Sequence, residues 1–257
     1  MDGAWEALAG ATTRPGFPLM ALACLMAGVV RGFSGFGVAL VFMPVATVFA
    51  PAGVALAALN VFNAFGTFSL LGPSLRICRG REVAVMLGGV LVGAPVGVWL
   101  LATLPDAALR WFVCLAALAA AGALASGWRA TGPAPRWIGA PVGAAAGLMG
   151  GIAGLSGVPV VLFYLGRQAA PAAMRANIVV LFAGSSIVSA ALLWRAGFFG
   201  AEAVALGLVL APLFLGGVEI GKRLFPLAPP EIFRRLAFGL IVFAALSGLP
   251  VWDGLGG

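Results

Sequence analysis

The chain has no histidine, a single tyrosine and, at Lys222, a single lysine. Without histidine, a serine or cysteine nucleophile loses its commonest activating base and a metal site its commonest ligand. Charge is scarce too. Only 9% of the 257 residues are charged, and eight of them are acidic, against about 25% charged residues in soluble domains. This excludes a water-soluble domain. The three cysteines, Cys24, Cys78 and Cys114, lie far apart in no metal or redox spacing and read as small buried residues. No ATP-binding motif, cofactor fingerprint or metal-ligand spacing is present. The net charge of +7 does not point to nucleic acid, because the basic residues are spread over short loops between apolar runs. Such spreading is the mark of topology control by the positive-inside rule.

What is abundant is apolar sequence, at 62% of residues, together with 38 glycines. Apolar runs fall at 17–50, 51–72, 83–104, 107–128, 137–165, 171–194, 201–221 and 232–250. Most have the length that crosses ~30 Å of hydrocarbon as a helix. The first and fifth are longer, and each carries a glycine-rich break. One reads Arg31-Gly32-Phe33-Ser34-Gly35-Phe36-Gly37; the other reads Gly150-Gly151-Ile152-Ala153-Gly154-Leu155-Ser156-Gly157-Val158-Pro159. Each glycine costs a helix about 1 kcal/mol relative to alanine, so these clusters predict two opened helices that restart near Val38 and near Val158–Pro159. Opened backbone at membrane depth must be surrounded by protein or water. The N-terminal stretch has acids before its first cation, Arg14, unlike a signal peptide, and the first apolar run is expected to be retained.

The halves resemble each other. Ala27-Gly28-Val29-Val30 matches Ala146-Gly147-Leu148-Met149, Asn60 matches Asn177, and Pro105 and Arg110 match Pro229 and Arg234. The expected organisation is a tail at 1–16, a first repeat at 17–128, a linker at 129–136, a second repeat at 137–250 and a tail at 251–257. Arginine counting distinguishes two topologies. If each broken run crosses the membrane once, cations divide evenly between the two sides. If each doubles back as a hairpin, Arg76, Arg79, Arg81, Arg129, Arg136, Arg167, Arg175, Lys222, Arg223, Arg234 and Arg235 share one side, leaving only Arg14, Arg110 and Arg195 on the other. The positive-inside rule selects the hairpins. The predicted fold is therefore an all-α polytopic membrane protein of two inverted repeats, each a glycine-broken helical hairpin plus three transmembrane helices. Both termini are expected on the periplasmic side of a cell inner membrane.

Paired broken helices point to a transporter binding site. A restarted helix offers free N–H groups and roughly half a positive charge, which attract anions. The candidate binding residues are Arg31, Ser34, Gly35 and Gly37 in the first break, Gly154, Ser156 and Gly157 in the second, and the intramembrane amides Asn60, Asn63 and Asn177. The simpler reading of the glycines is close helix packing; that of Arg31 is snorkelling to an interface. Ser185, Ser186 and Ser189 follow on the Asn177 helix. Glu219 and Arg223 have the spacing of a surface ion pair. The repeated Gly-x-Ser-Gly of both breaks suggests an intramembrane serine protease, but no histidine or membrane-embedded lysine is there to serve as base.

The Gly147–Pro159 segment, with its weaker copy around Gly35, resembles the TauE/SafE family of membrane permeases over roughly residues 17 to 250. The resemblance implies a bacterial inner-membrane transporter that exports sulfite, sulfonates such as sulfoacetate, or related small sulfur anions. Arg31, Phe33 and Phe36 interrupt the first glycine run, which implies an asymmetric site or a gating role for that copy. The reading is a secondary transporter working by alternating access, with a small anionic substrate and the bilayer as partners, no cofactor, and a homodimer as one option for assembly. An anion channel and a non-transporting structural subunit are the alternatives.

Overall fold

The computed structural model describes residues 10–126, 136–165, 171–224 and 230–251, with the side chains at 33–34, 68–70, 124–125, 136, 165, 171–172 and 230–237 left aside. The described residues are helical with no strand. The helices are α1 (Phe17–Ser34), α2 (Val38–Phe49), α3 (Ala52–Leu75), α4 (Gly80–Thr103) and α5 (Asp106–Ala125). A 3-10 turn at Arg136–Ile138 precedes α6 (Gly139–Ala153), α7 (Gly157–Leu165), α8 (Pro171–Arg195), α9 (Ala201–Leu224) and α10 (Pro230–Ser247). Four helices, α4, α5, α8 and α9, are long and apolar enough to cross a membrane within their described residues. The chain is a polytopic membrane protein.

Both glycine clusters break the helix where expected. Gly35 ends α1 with φ at 79°, its N–H donating to the Arg31 carbonyl at 2.8 Å, and Gly37 leads into α2 with φ at 94°. Gly154 ends α6 with φ at 72°. A side chain at such angles strains the backbone by about 1–2 kcal/mol, so only glycine turns the chain here without strain. The arms double back. A β-carbon on Gly16, just before α1, would strike the ring of Phe49 at the end of α2. In the second pair, a β-carbon on Gly139 would sit 3.6 Å from Met86, and the hydroxyl of Tyr164, near the end of α7, approaches the Met86 sulfur at 3.9 Å.

Charged groups collect accordingly at two ends of the bundle. At one end Arg14 pairs with Glu202, the Ala52 N–H donates to Asp106 Oδ1 at 3.2 Å, and Arg110 Nε donates to the Gly248 carbonyl at 2.8 Å. At the other, the Arg79 N–H at the start of α4 meets Asn177 near the start of α8. Glu219 and Arg223 form their ion pair at 3.0 Å on the exposed end of α9. The linker residue Arg129 and Arg167 lie outside the described residues, as do the side chains of Arg136, Arg234 and Arg235.

The glycines spaced four apart have a second use. A β-carbon on Gly28 or Gly32 of α1 would collide with the carbonyls of Phe214 or Val218 on α9; on Gly217 or Gly221 it would collide with those of Leu25 or Val29. The same interlock joins α6 to α4, where Gly143, Gly147 and Gly151 face the carbonyls of Met86, Val90 and Ala94, and Gly93 and Gly97 face those of Ala144 and Leu148. Small residues allow backbones in a membrane to approach this closely. The two seams are related. Gly28 and Gly32 correspond to Gly147 and Gly151 in the register that aligns Ala27 with Ala146, and Gly93 and Gly97 correspond to Gly217 and Gly221 in the register that aligns Pro105 with Pro229. Each half thus lends the first arm of its broken pair to the fourth helix of the other.

Substituting Gly93 by alanine forces backbone apart and is expected to destabilise the protein by about 1–3 kcal/mol. Gly88→Ala, one turn earlier on α4 in open space, is expected to be neutral or stabilising, since alanine is the better helix former. Thermal unfolding of both variants checks this contrast; equal effects would contradict the seam.

Candidate functional site

The two breaks meet inside the bundle. A β-carbon on Gly154 would lie 3.2 Å from Ala39 in the first turn of α2, and one on Gly157 would lie 3.8 Å from Phe36 in the first break. Between them is a cavity of about 60 Å³. Its walls come from the last turn of α1 (Arg31), the first break and first turn of α2 (Phe36 to Leu40), and α3 (Leu59, Asn60, Asn63). The second break and the start of α7 (Gly154 to Val158) and one face of α8 (Phe182, Ser185, Ser186, Ser189) close it. The N-termini of α2 and α7 both border the space. Each contributes about +0.5 of dipole charge.

The polar atoms of this wall are incompletely satisfied. Arg31 is 4% exposed, and its guanidinium donates to Thr67 Oγ1 at 2.9 Å. Thr67 in turn donates to the Asn63 carbonyl at 3.0 Å, fixing the hydroxyl so that it accepts from the arginine. Arg31 Nε, Asn63 Oδ1 and Ser189 Oγ are buried without a hydrogen-bond partner, and all three residues line the cavity. Among the described residues, no acid lines it. A buried unpaired cation costs several kcal/mol. Arg31 stands in the last turn of α1, where the helix dipole favours a cation by ~0.3–1 kcal/mol, up to ~2 in partly buried sites. A hydrogen bond to a charged group contributes ~1.5–3 kcal/mol. These offsets leave the charge undercompensated.

The candidate residues divide as follows. Arg31, Gly37, Asn60, Asn63, Gly154, Ser156 and Gly157 border the one cavity. Gly35 caps α1 without lining it, and the Ser34 side chain lies outside the described residues. Asn60 lines the cavity while its Nδ2 donates back to the Leu56 carbonyl at 3.1 Å. Asn177 does not reach the cavity. Its Oδ1 accepts from the Arg79 N–H at 2.7 Å, capping α4 from a neighbouring helix, and its Nδ2 donates to Tyr164 Oη at 3.0 Å. It lies two helical turns, about 12 Å of rise, from Ser185. Across from Asn60 and Asn63 stand the serines of α8, so matching Asn60 with Asn177 finds a buried amide in each half but not a shared role. Thr67 went unsingled in the sequence, although it lies one turn from Asn63 on the same helix.

A polytopic helical bundle with two opened helices around a buried polar cavity has the make-up of a membrane transporter. The chain belongs to the sulfite exporter TauE/SafE family, whose model matches residues 20–248. It is 28% identical over 181 residues to a Comamonas testosteroni protein described as "Probable inner membrane transporter protein TsaS", covering 68% of this chain and 74% of the relative. It is 25% identical over 236 residues to the "Probable sulfite/organosulfonate exporter TauE" of Cupriavidus necator, covering 88% of this chain and 91% of the relative. No solved structure matches the chain.

Asn177→Ala is expected to cost about 1–3 kcal/mol by orphaning the Arg79 N–H, whereas Asn177→Asp keeps an acceptor at a helix start and loses less. Thermal unfolding ranks the two variants. Neither is expected to change any stabilisation by anions, and a loss of that response in both would return Asn177 to the site.

Proposed function

We propose that the protein is a secondary transporter that exports a small sulfur oxyanion, sulfite or an organosulfonate, across the inner membrane by alternating access. The observation that carries this reading is Arg31, a buried cation with its Nε unpartnered, bordering a cavity with no acid among the described residues of its walls. An intramembrane charge is a functional site by default. The unpartnered Asn63 and Ser189 and the two helix N-termini add hydrogen-bonding capacity suited to several oxygens on one centre. At about 60 Å³ the cavity exceeds the ~10–15 Å³ that a single water needs, which leaves room for a small polyatomic ion.

The architecture supports the reading of alternating access. A hairpin plus three crossings is an odd number of crossings, so the second half is inverted relative to the first. Inverted repeats let one sequence pattern produce inward- and outward-facing forms. The end that gathers Arg79, Arg175, Lys222 and Arg223 is cytoplasmic by the positive-inside rule, and both termini are periplasmic. The names of the relatives supply sulfite and organosulfonate as the chemistry to test first.

Sulfite is expected to raise the thermal stability of the purified chain, by about 2.7 kcal/mol at 100 times its Kd. Chloride at equal ionic strength is expected to do less. Arg31→Gln, which keeps a donor for Thr67 and removes the charge, is expected to fold and lose the response. An equal response in Arg31→Gln, or none to any oxyanion in the unsubstituted chain, would refute the reading.

A further inference from the structure

A second cavity, of about 260 Å³, adjoins the first. It runs between α3 and α8 and is walled by Val61, Ala64, Leu71, Ile187, Ala190 and Phe199 among others. Asn60 and Ser186 line both cavities. Thr67, which holds the Arg31 guanidinium, also lines the larger one. The polar edge of the larger space is therefore the edge of the anion cavity, and the rest is apolar. Among the described residues, no acidic side chain lines either space, and Arg31 is the one cation lining them.

We infer that the site has two compartments and takes a monoanionic sulfonate with an apolar body, the head at Arg31 and the body between α3 and α8. This inference rests on the oxyanion reading above and specifies its substrate class. One arginine with no acid beside it matches a single negative charge. It offers nothing to the ammonium of a zwitterion such as taurine, nor to the second charge of a dicarboxylate-like sulfonate. A cavity about four times the volume of the anion pocket, sharing Asn60 and Ser186 with it and otherwise lined mostly by methyl and phenyl groups, matches a short alkyl or aryl group. A lipid chain is the competing occupant of such a space. The placement of Asn60, Ser186 and Thr67 at the shared edge favours a ligand with its polar end there.

The test is binding of sulfite, methanesulfonate, butanesulfonate and taurine to the full chain in phosphatidylcholine nanodiscs. Each buried methylene is expected to tighten binding about four-fold, so butanesulfonate should bind at least ten-fold tighter than methanesulfonate, and taurine more weakly than either. Ala64→Leu and Ala190→Leu fill the apolar space from opposite helices. Both are expected to erase the advantage of butanesulfonate while leaving sulfite affinity within about two-fold. Retained sulfite binding certifies the fold of each variant, and if one is lost the other carries the comparison. Equal affinities for the two alkylsulfonates, or an advantage that survives both fillings, would overturn the two-compartment site and give the larger space to lipid. Loss of all anion binding in the unsubstituted chain would instead mark failure of the oxyanion reading itself.

Discussion

Apolar helices in a bilayer have no hydrophobic reason to leave lipid for one another. What brings this chain together is backbone-to-backbone approach across glycine faces. Gly28, Gly32, Gly217 and Gly221 on one seam, and the glycines of α4 and α6 on the other, stand where a single methyl group would strike a carbonyl. Dispersion contacts and the weak polar attraction of closely apposed backbones accumulate along such seams. The site depends on them. α1 must lie flush on α9 for Arg31, the neighbour of Gly32, to reach Thr67 and the cavity. α6 must lie flush on α4 for Gly154 to reach α2.

The pairing of seams also constrains motion. Each joins a broken-pair arm from one half of the sequence to a long helix from the other, so the halves are interlocked. By contrast, α3 and α8 flank the cavities and carry Asn60, Asn63 and the serines. Their facing surfaces are bordered by open space. Interlocked seams beside a loosely filled centre are compatible with rearrangement around the ligand, with the seams serving as the rigid parts.

Much of this was legible in the sequence, for local reasons. Two glycine clusters in runs too long for one crossing mark breaks, because backbone preference acts within a few residues. The separation of Arg14 and Arg110 from Arg79 and Arg223 follows from where loops lie, and loops are easily found between apolar runs. The meeting of both breaks with Arg31, Asn60 and Asn63 followed from asking where polar atoms in lipid could go. The limits have physical causes as well. A helix turns 100° per residue, so a short offset in matching the halves points a side chain at a different neighbour. Asn177 was matched to Asn60 by residue type and proves to cap α4, while the serines two turns on face the amides. The four-residue glycine spacing was visible, but its partner surface was not, because a seam needs two helices and a sequence supplies them separately.

The central claim is that Arg31 and the two helix breaks hold an oxyanion. The most direct measurement is an anomalous-difference map of the protein in selenite, a heavier analogue of sulfite. The account predicts a peak within hydrogen-bonding distance of Arg31 Nε, between the first turns of α2 and α7, near Asn63 and Ser189. Peaks confined to the exposed basic end around Arg79 and Arg223, with none beside Arg31, would contradict it.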